Sequence, residues 1–512
     1  MKGTWLVSMM ALALATATAP AMAQIAQANV TGGKIAGAIA NGVSAFKGIP
    51  FAAAPAGDLR WKAPQPVKAW SGVRQTTEFA AACMQNPASL KSQAPGISMS
   101  EDCLYLDVWT GAKTSREKLP VIAWIYGGGF NGGMTSAPLY DGANFAKHGV
   151  VFVSLSYRVG PLGFLATPDL SRESGHASGN YGMLDQIAGL KWIQKNIAEF
   201  GGDPSKVTVL GHSAGAFAVS MLAGSPLAKG LFRGAISESG ANFMPPQDSS
   251  WGGGSIQTLR MSEAAGKTWL ESLGASTLAE ARALPAEKVE AAQRNQGAPR
   301  FWPAVDGYVI TGDQYELWRK GRFNDTPILV GDVSDEAGGF GVRKVDAAAF
   351  EKEVREGYGE HADAILAAYP HGTDEQATRS ATLLRSDTAS TGGSSRGHAS
   401  SRRTGSTTLT SIASTGRVRP IPMGRVTGRR WVTCSAILVP ADVRRPRRKI
   451  ARSRSRCRAT GELCDEGRSE WRRVADLAGV YRSRAPGDEV RRRSRAGACR
   501  EPGQAEGARR VL

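Results

Sequence analysis

The chain has 512 residues, of which 42% are hydrophobic and 7% aromatic. This composition supplies a sizeable core, so it excludes a fibrous protein and a chain that is disordered throughout. The formal net charge of +18 arises entirely in the C-terminal quarter: residues 1–385 contain 34 basic and 34 acidic residues, whereas residues 386–512 contain 29 basic and 11 acidic ones.

The first 23 residues have the features of a signal peptide. Lys2 precedes the apolar stretch 5–19, and Ala21 and Ala23 are the small residues that signal peptidase requires before its cleavage site. We therefore predict cleavage before Gln24 and a secreted or periplasmic protein. The apolar stretch is too short to cross a bilayer and no other stretch is long enough, so we expect no membrane span.

Two cysteines, Cys83 and Cys103, precede the C-terminal quarter. An oxidising compartment allows them to form a disulfide that closes a loop of about 20 residues and stabilises the fold by roughly 3 kcal/mol; two free thiols are the alternative. The other four cysteines show no metal-ligand spacing, so neither a metal site nor a cofactor is expected. They are Cys434, Cys457, Cys464 and Cys499.

Residues 24–389 are predicted to form one α/β domain. Short β-branched runs alternate with longer amphipathic stretches, which is typical of a mostly parallel central sheet flanked by helices. Residues 184–200 have apolar side chains at near-helical spacing, and Gly201 ends that pattern. The clearest strands are 121–126, 150–157 and 207–210.

Two glycine-rich segments follow predicted strands. Gly211-His212-Ser213-Ala214-Gly215 lies between strand 207–210 and a helix-compatible run, the context in which G-x-S-x-G forms the sharp turn of a catalytic serine. Gly127-Gly128-Gly129 follows strand 121–126, where backbone N–H groups could approach a substrate oxygen closely. The glycine run lacks the spacing of a phosphate-binding loop, so we interpret it as an oxyanion hole; a plain flexible turn is the alternative.

The chain resembles the type B carboxylesterases, the cholinesterase-like branch of the α/β-hydrolases that includes bacterial para-nitrobenzyl esterases. The matching segments occur in the family's order over roughly residues 40–389. They are Phe46-Lys47-Gly48-Ile49-Pro50-Phe51-Ala52, Glu101-Asp102-Cys103-Leu104-Tyr105-Leu106, Tyr126-Gly127-Gly128-Gly129-Phe130, Asn180-Tyr181-Gly182-Met183-Leu184-Asp185-Gln186 and Phe200-Gly201-Gly202-Asp203-Pro204.

This resemblance implies the α/β-hydrolase fold and a role for each site residue. Ser213 is the implied nucleophile, Cys83–Cys103 is the implied N-terminal disulfide, and Glu336 is the implied acid. Glu336 follows the apolar strand 328–330 in Ser-Asp-Glu-Ala, where the family usually has Asp-Glu-Gly; a surface carboxylate is the alternative. The implied oxyanion hole consists of the backbone N–H groups of Gly128, Gly129 and Ala214.

A serine hydrolase also needs a histidine base, and in this fold the base follows the acid in the chain. Three histidines follow Glu336: His361, His371 and His398. The first two lie in a segment, 347–377, that is predicted to be helix, turn and helix, far before the family's histidine. His398 lies in a Ser-, Gly- and Arg-rich stretch without a preceding strand. We therefore predict that the catalytic histidine is absent from this chain.

The composition beyond residue 389 suggests why the catalytic histidine is absent. Residues 386–512 contain 28 Arg and one Lys, and their aromatic residues number three, so residues 390–512 are predicted to be a disordered, Arg-rich tail that adds nothing to the sheet. A one-base shift after Ala389 allows Phe-Asp-Trp-Gly at 390–393. Across 425–437 it allows a reading with His-Gly-Ala-Glu, the form in which this family presents its catalytic histidine. We therefore infer a frameshift, in the gene or in its reading.

The sequence thus predicts a secreted carboxylic ester hydrolase that acts through an acyl-enzyme on Ser213 but lacks its histidine. The predicted partner is a small-molecule ester, and the oligomeric state is not predicted. The alternative is a non-catalytic binding protein on the cholinesterase-like fold, which the intact serine turn disfavours. Nucleic-acid binding by the tail is a third hypothesis; its 28 Arg would attract phosphates, but few aromatic residues and no recognisable domain argue against specific binding.

Overall fold

The computed structural model describes residues 24–241, 256–324, 326–333, 336, 341–358, 362–390 and 409–414. The predicted signal peptide and most of the Arg-rich tail lie outside these residues. The strands are β1 (Gln27–Val30), β2 (Gly33–Ala36), β3 (Ala38–Ala40), β4 (Val43–Pro50), β5 (Val73–Gln75), β6 (Ala82–Cys83), β7 (Met99–Ser100), β8 (Tyr105–Thr110), β9 (Leu119–Ile125), β10 (Val151–Leu155), β11 (Gly202–His212), β12 (Gly234–Glu238), β13 (Gln257–Thr258), β14 (Ala304–Val305), β15 (Ile328–Val333) and β16 (Leu409–Ser414).

The helices lie mostly between these strands in the chain. They are α1 (Pro87–Gln93), α2 (Ala143–Lys147), α3 (Gly160–Phe164), α4 (Pro168–Ser174), α5 (Tyr181–Asn196), α6 (Ala214–Gly224), α7 (Leu259–Ser272), α8 (Leu278–Ala283), α9 (Ala286–Ala292), α10 (Gln314–Arg319), α11 (Ala347–Tyr358), α12 (Ala362–Ala368) and α13 (Asp374–Ser390). Short 3-10 helices occur at Gly57–Leu59, Pro138–Tyr140, Ile197–Phe200 and Pro226–Ala228.

A nine-stranded sheet forms the centre of the fold, in the order β16-β15-β12-β11-β9-β10-β8-β4-β3. The strands from β16 to β10 are parallel to one another, and β8, β4 and β3 continue the sheet in antiparallel pairs. The predicted α/β class with a mostly parallel sheet is therefore confirmed. Because parallel strands end at the same edge, the residues that follow β9, β11, β12 and β15 come together there.

The central strands are continuous apolar runs because helices cover both faces of the sheet. All five residues of β10 are buried, and so are the last five of β9, with Val153 paired to Ala123. The predicted helix 184–200 is present as α5 and a 3-10 turn, and it ends where Gly201 adopts a left-handed φ of 76°. No helix among the described residues has both the length and the apolar character needed to cross a bilayer.

The segment after the acid differs from the prediction. Residues 347–377 were expected to form a helix, a turn and a helix, but the structure has three helices, α11 to α13, the last of which runs to Ser390. These helices have their own cluster of buried side chains, which includes Phe350, Ile365 and Leu384. The third helix extends the described fold to the point where the resemblance was predicted to stop.

The prediction that the tail adds nothing to the sheet is wrong for six residues. β16 (Leu409–Ser414) pairs in parallel with all six residues of β15 and forms one edge of the sheet. The charge and aromatic content of the whole tail conceal this local run, which combines Leu409 and Ile412 with Thr410 and contains no charged residue. Residues with these side chains suit a strand.

Candidate active site

The predicted nucleophile lies at the turn between β11 and α6. Ser213 has φ 54° and ψ −123°, a combination that costs a residue with a side chain about 1–3 kcal/mol. Gly211 and Gly215 make this turn possible, because a Cβ on Gly211 would lie 2.3 Å from the carbonyl oxygen of Gly215, and a Cβ on Gly215 would lie 2.1 Å from that of Ile125. The surrounding backbone therefore holds Ser213 in a strained conformation that requires both glycines.

The glycine loop after β9 lies against this turn. A Cβ on Gly127 would come within 2.9 Å of the Ser213 Cβ and 2.6 Å of the His212 carbonyl oxygen. The next two residues, Gly128 and Gly129, have φ values of 118° and 63°, which a residue with a side chain rarely adopts. The predicted oxyanion-hole segment and the predicted nucleophile are thus brought together, with the first turn of α6 beside them.

The predicted acid, Glu336, follows β15, which lies two strands away from β11 in the sheet. Glu336 comes three residues after the end of β15, and its Oε1 accepts a hydrogen bond from the backbone N–H of Val333 at 2.9 Å. The strand between β11 and β15 is β12. Ser213 and Glu336 therefore follow strand ends at the same edge of the sheet, as a serine hydrolase requires.

A second carboxylate, Glu238, occupies the end of β12 and was not identified from the sequence. Its carbonyl oxygen accepts the backbone N–H of Ser213 at 2.9 Å, and its register partner on β11 is His212. Burial raises the pKa of its carboxyl group to about 7. A carboxylate directly after the buried run Ala235–Ser237 was the signal that could have indicated it.

His212 is the histidine next to Ser213, the predicted nucleophile, in the chain. Burial lowers the pKa of its imidazole, and the charge of Glu336 opposes this effect. The sequence analysis considered only histidines that follow Glu336 in the chain. It therefore did not consider His212, which precedes Glu336. The charge of Glu336 therefore acts on the residue that precedes Ser213.

The other described histidines contact groups outside this turn. The exposed His148 bonds the Asn144 carbonyl oxygen through Nδ1, and His176 stacks on Tyr308. His371, expected at the surface, is half-buried: its Nδ1 lies 2.9 Å from the Tyr369 carbonyl oxygen, and its ring packs against Phe350. Two candidate histidines from the sequence, His361 and His398, lie outside the described residues.

Three aromatic side chains connect the glycine loop with the helix that follows Ser213. Phe130 comes directly after Gly129, and its ring centroid is 5.1 Å from that of Trp302. Phe217 lies one turn into α6, where its N–H donates to the Ser213 carbonyl oxygen at 3.0 Å, and its ring centroid is 5.8 Å from that of Trp302. We call Phe130, Phe217 and Trp302 the aromatic wall.

The predicted disulfide is present. Cys83 and Cys103 are joined, with a sequence separation of 20 residues, and Cys83 belongs to β6, which pairs with β7. Within the described ranges, no group of three or more His, Cys, Asp or Glu side chains is arranged to hold a metal ion.

This arrangement of a strained serine, a glycine loop and an acid on neighbouring strand ends agrees with the family comparison. The sequence profile of the carboxylesterase family matches residues 21–412. The chain belongs to the carboxylesterase family. The match begins before and ends after the range 40–389 that the sequence motifs indicated, and its end falls within β16.

Similar proteins include esterases of bacteria and mammals. The fumonisin B1 esterase of Sphingopyxis macrogoltabida is 43% identical over 342 residues, which are 65% of this chain and 61% of that protein. The para-nitrobenzyl esterase of Bacillus subtilis is 39% identical over 312 residues, 59% of this chain and 61% of that protein. This carboxylesterase-family chain thus spans about three fifths of the length of each of these two relatives.

Solved carboxylesterase structures share the fold. A carboxylesterase of Geobacillus stearothermophilus superposes with a TM-score of 0.64 at 30% identity, covering 77% of this chain and 81% of that one. A para-nitrobenzyl esterase structure superposes with a TM-score of 0.63, also at 30% identity and with the same coverage. The predicted α/β-hydrolase fold and the resemblance to para-nitrobenzyl esterases are therefore confirmed.

Proposed function

We propose that this chain derives from a secreted carboxylic ester hydrolase that forms an acyl-enzyme on Ser213. The observation that carries the proposal is the strained conformation of Ser213 against the glycine loop. A strain of this kind persists only where the surrounding structure maintains it, and it is concentrated at functional sites. The names of the relatives, esterases of fumonisin B1, cocaine and para-nitrobenzyl substrates, favour a carboxylic ester as the substrate class.

In the proposed mechanism, the Ser213 oxygen attacks the ester carbonyl carbon and its proton passes to a base. The carbonyl oxygen becomes an oxyanion, which the backbone N–H groups of Gly128, Gly129 and Ala214 stabilise. The base then protonates the alcohol oxygen as that bond breaks, leaving the acyl group on Ser213. Water repeats the sequence on the acyl-enzyme and releases the acid.

Glu336 is the proposed orienting acid of this triad. Its oxygen is held by the Val333 N–H, so the carboxylate has a defined position after β15. An acid in this role orients the imidazole and stabilises the imidazolium that forms when the serine proton is taken. In a protein whose reading frame is restored after codon 389, replacement of Glu336 by Gln is expected to lower turnover even when Ser213 is unchanged.

The base is the part of the triad that we propose to be missing. The shifted reading of residues 425–437 contains the family's His-Gly-x-Glu, and its histidine codon would straddle Val426 and Thr427, neither of which accepts a proton. We therefore propose that a one-base frameshift near codon 390, in the gene or in its reading, removed the histidine. The DNA sequence of codons 388–392 decides whether a single base is inserted or lost.

We also propose that the chain is exported. A signal peptide at 1–23 would deliver the chain to an oxidising compartment, and the disulfide between Cys83 and Cys103 is stable in such a compartment. Cell fractionation should therefore recover a protein that begins at Gln24 outside the cytoplasm. Recovery of the uncleaved chain from the cytoplasm would contradict this part of the proposal.

The nucleophile can be tested by covalent labelling of a protein in which the reading frame after codon 389 is restored. We expect an aryl phosphonate to modify the peptide that contains Ser213, as measured by mass spectrometry, and we expect no labelling of Ser213→Ala. Ser205→Ala is the matched control, since Ser205 is an exposed serine near the start of β11, the strand that ends at the turn of Ser213, and should leave labelling unchanged. Labelling of another serine would overturn the assignment; no labelling at all would favour a non-catalytic binding protein.

A further inference from the structure

A cation lies on the aromatic wall. The guanidinium carbon of Arg300 is 3.3 Å from the ring centroid of Trp302, a stacked arrangement that holds the planar guanidinium in place. Trp302 in turn contacts Phe130, which follows the glycine loop, and Phe217, which lies one turn after Ser213. Arg300 is therefore linked to the turn at Ser213 through Trp302 and Phe217.

The environment of Arg300 favours an interaction with an anion. Its side chain is only partly exposed, and burial lowers its pKa to about 10, so it remains protonated at pH 7. A cation that is partly removed from water attracts an opposite charge more strongly than one at the surface. Arg300 makes at least one further interaction within the chain.

The rest of the wall is apolar, so a neutral ester would gain contact area but no directional bond from it. A guanidinium group binds a carboxylate strongly, because two of its N–H groups lie parallel and can donate to the two carboxylate oxygens. An ester that carries a carboxylate would place its apolar part on Phe217 and Trp302 and its charge at Arg300.

We propose that Arg300, stacked on Trp302, forms a subsite for a carboxylate of the ester substrate and so makes this esterase selective for anionic esters. This inference rests on the proposed function, since it takes Ser213 as the reacting centre. The carboxylate can belong to the acyl part or to the alcohol part of the ester. Arg300 is a binding residue in this proposal and has no part in bond breaking.

The test measures binding by the unmodified full-length chain and does not require turnover. Amide analogues that are not hydrolysed serve as probes: N-phenylsuccinamic acid has its carboxylate on the acyl side, N-acetyl-4-aminobenzoic acid has it on the leaving-group side, and N-phenylbutanamide is neutral. Dissociation constants are measured by titration calorimetry. We expect the wild-type chain to bind at least one anionic probe about tenfold more tightly than the neutral one, a ratio typical of one charged hydrogen-bonded pair.

Arg300→Gln should abolish that preference while changing the affinity for the neutral probe less than twofold. Arg300→Lys should retain part of the preference, which separates loss of charge from loss of structure. The matched control is Arg116→Gln, because Arg116 is an exposed arginine before β9, at the opposite edge of the sheet from Ser213; it should behave as wild type. The anionic probe that Arg300→Gln weakens identifies which side of the ester carries the charge.

Two outcomes would overturn the proposal: equal binding of anionic and neutral probes by the wild-type chain, or a preference that survives in Arg300→Gln. Failure of the proposed esterase function would appear elsewhere, as the absence of Ser213 labelling in the frame-restored protein. Since binding of the amides needs no base, the two failures are distinguishable.

Discussion

The backbone N–H of Ser213 donates to the carbonyl oxygen of Glu238 at 2.9 Å, so the turn between β11 and α6 is bonded to the end of the neighbouring strand. The same connection continues one strand further, where the N–H of Ser239 donates to the carbonyl oxygen of Gly331 at 2.7 Å. These bonds link the ends of β11, β12 and β15. The geometry of Ser213 therefore depends on the strand that precedes Glu336.

Gly215→Ala tests the packing that permits the strained serine. The added Cβ would lie 2.1 Å from the Ile125 carbonyl oxygen and 2.8 Å from that of Tyr126, and neither backbone group can move freely. We expect a loss of about 2–4 kcal/mol in the free energy of unfolding, since overpacking and forced backbone shifts have costs of this order. Chemical denaturation measures it.

Gly312→Ala is the control for that substitution. A Cβ there would meet Leu317 at no less than 3.7 Å, an ordinary contact, so the change in stability should be below about 1 kcal/mol. Equal losses for both variants would show that the close approach at Gly215 does not constrain the turn.

Glu238→Gln tests the half-buried carboxylate beside Ser213. The pKa of Glu238 is raised by burial to about 7, so the folded protein holds this proton at pH values where the unfolded chain has lost it. Its contribution to stability is present below about pH 4.5 and is lost as the pH rises to 7. The Gln variant should therefore be more stable than wild type at pH 8 by about 3 kcal/mol, with the difference shrinking toward pH 4.5.

Thermal unfolding of both proteins between pH 4.5 and 8 measures that difference. Other buried carboxyl groups, such as Asp107 with a pKa raised to about 6, titrate in both proteins and cancel in the comparison. A difference that is constant across this range would mean that Glu238 ionises in the folded state as it does in the unfolded chain.

The buried ion pair between Arg158 and Asp185 is expected to be a strong determinant of stability. Arg158 donates to Asp185 through its backbone N–H and through Nε and Nη2, at 3.0, 2.8 and 2.7 Å, and both side chains are at most 3% exposed. Asp185→Ala leaves the guanidinium buried without its carboxylate and should cost about 3–5 kcal/mol.

Asp169→Ala is the matched variant at the surface, where Asp169 pairs with the exposed Arg172. Its effect on unfolding should stay below about 1 kcal/mol, because surface pairs are screened by solvent. If the two alanine variants unfold at the same denaturant concentration, the Arg158–Asp185 pair does not anchor α5 to the end of β10.

Removal of the disulfide tests its contribution to folding. The double variant Cys83→Ala, Cys103→Ala frees a loop with a separation of 20 residues and should lower the free energy of unfolding by about 3 kcal/mol. Treatment of the wild-type protein with a reductant should give the same loss, and no further loss in the double variant. Full stability after reduction would contradict a structural role for this bond.

Local sequence predicts the parts of the site that are contiguous in the chain. The turn at Ser213 follows from two glycines around a serine between strand and helix, and the glycine loop follows from its position after β9. Glu336 could be predicted because the resemblance supplies the spacing after β15. In each case the residues that carry the sequence signal lie within a few positions of one another.

The remaining parts depend on contacts between residues that are distant in the chain. Trp302 meets Phe217 and Phe130 only after the strands assemble, and the raised pKa of Glu238 depends on burial that its own segment does not reveal. β16 was not predicted for a related reason. The overall charge of the tail gives no information on whether a short segment of it pairs with β15. Composition averages over such local runs.

The most direct test of the account compares ester turnover by two purified proteins: the 512-residue chain and the same protein with the reading frame restored after codon 389. Initial rates on 4-nitrophenyl acetate are measured, with Ser213→Ala of each as the blank. The account predicts that the present chain is slower by about 10⁴–10⁶-fold, the usual effect of losing a triad member. Turnover by the present chain at an ordinary enzymatic rate, on the order of 1–10³ per second, would contradict it and would mean that a histidine already in the chain serves as the base.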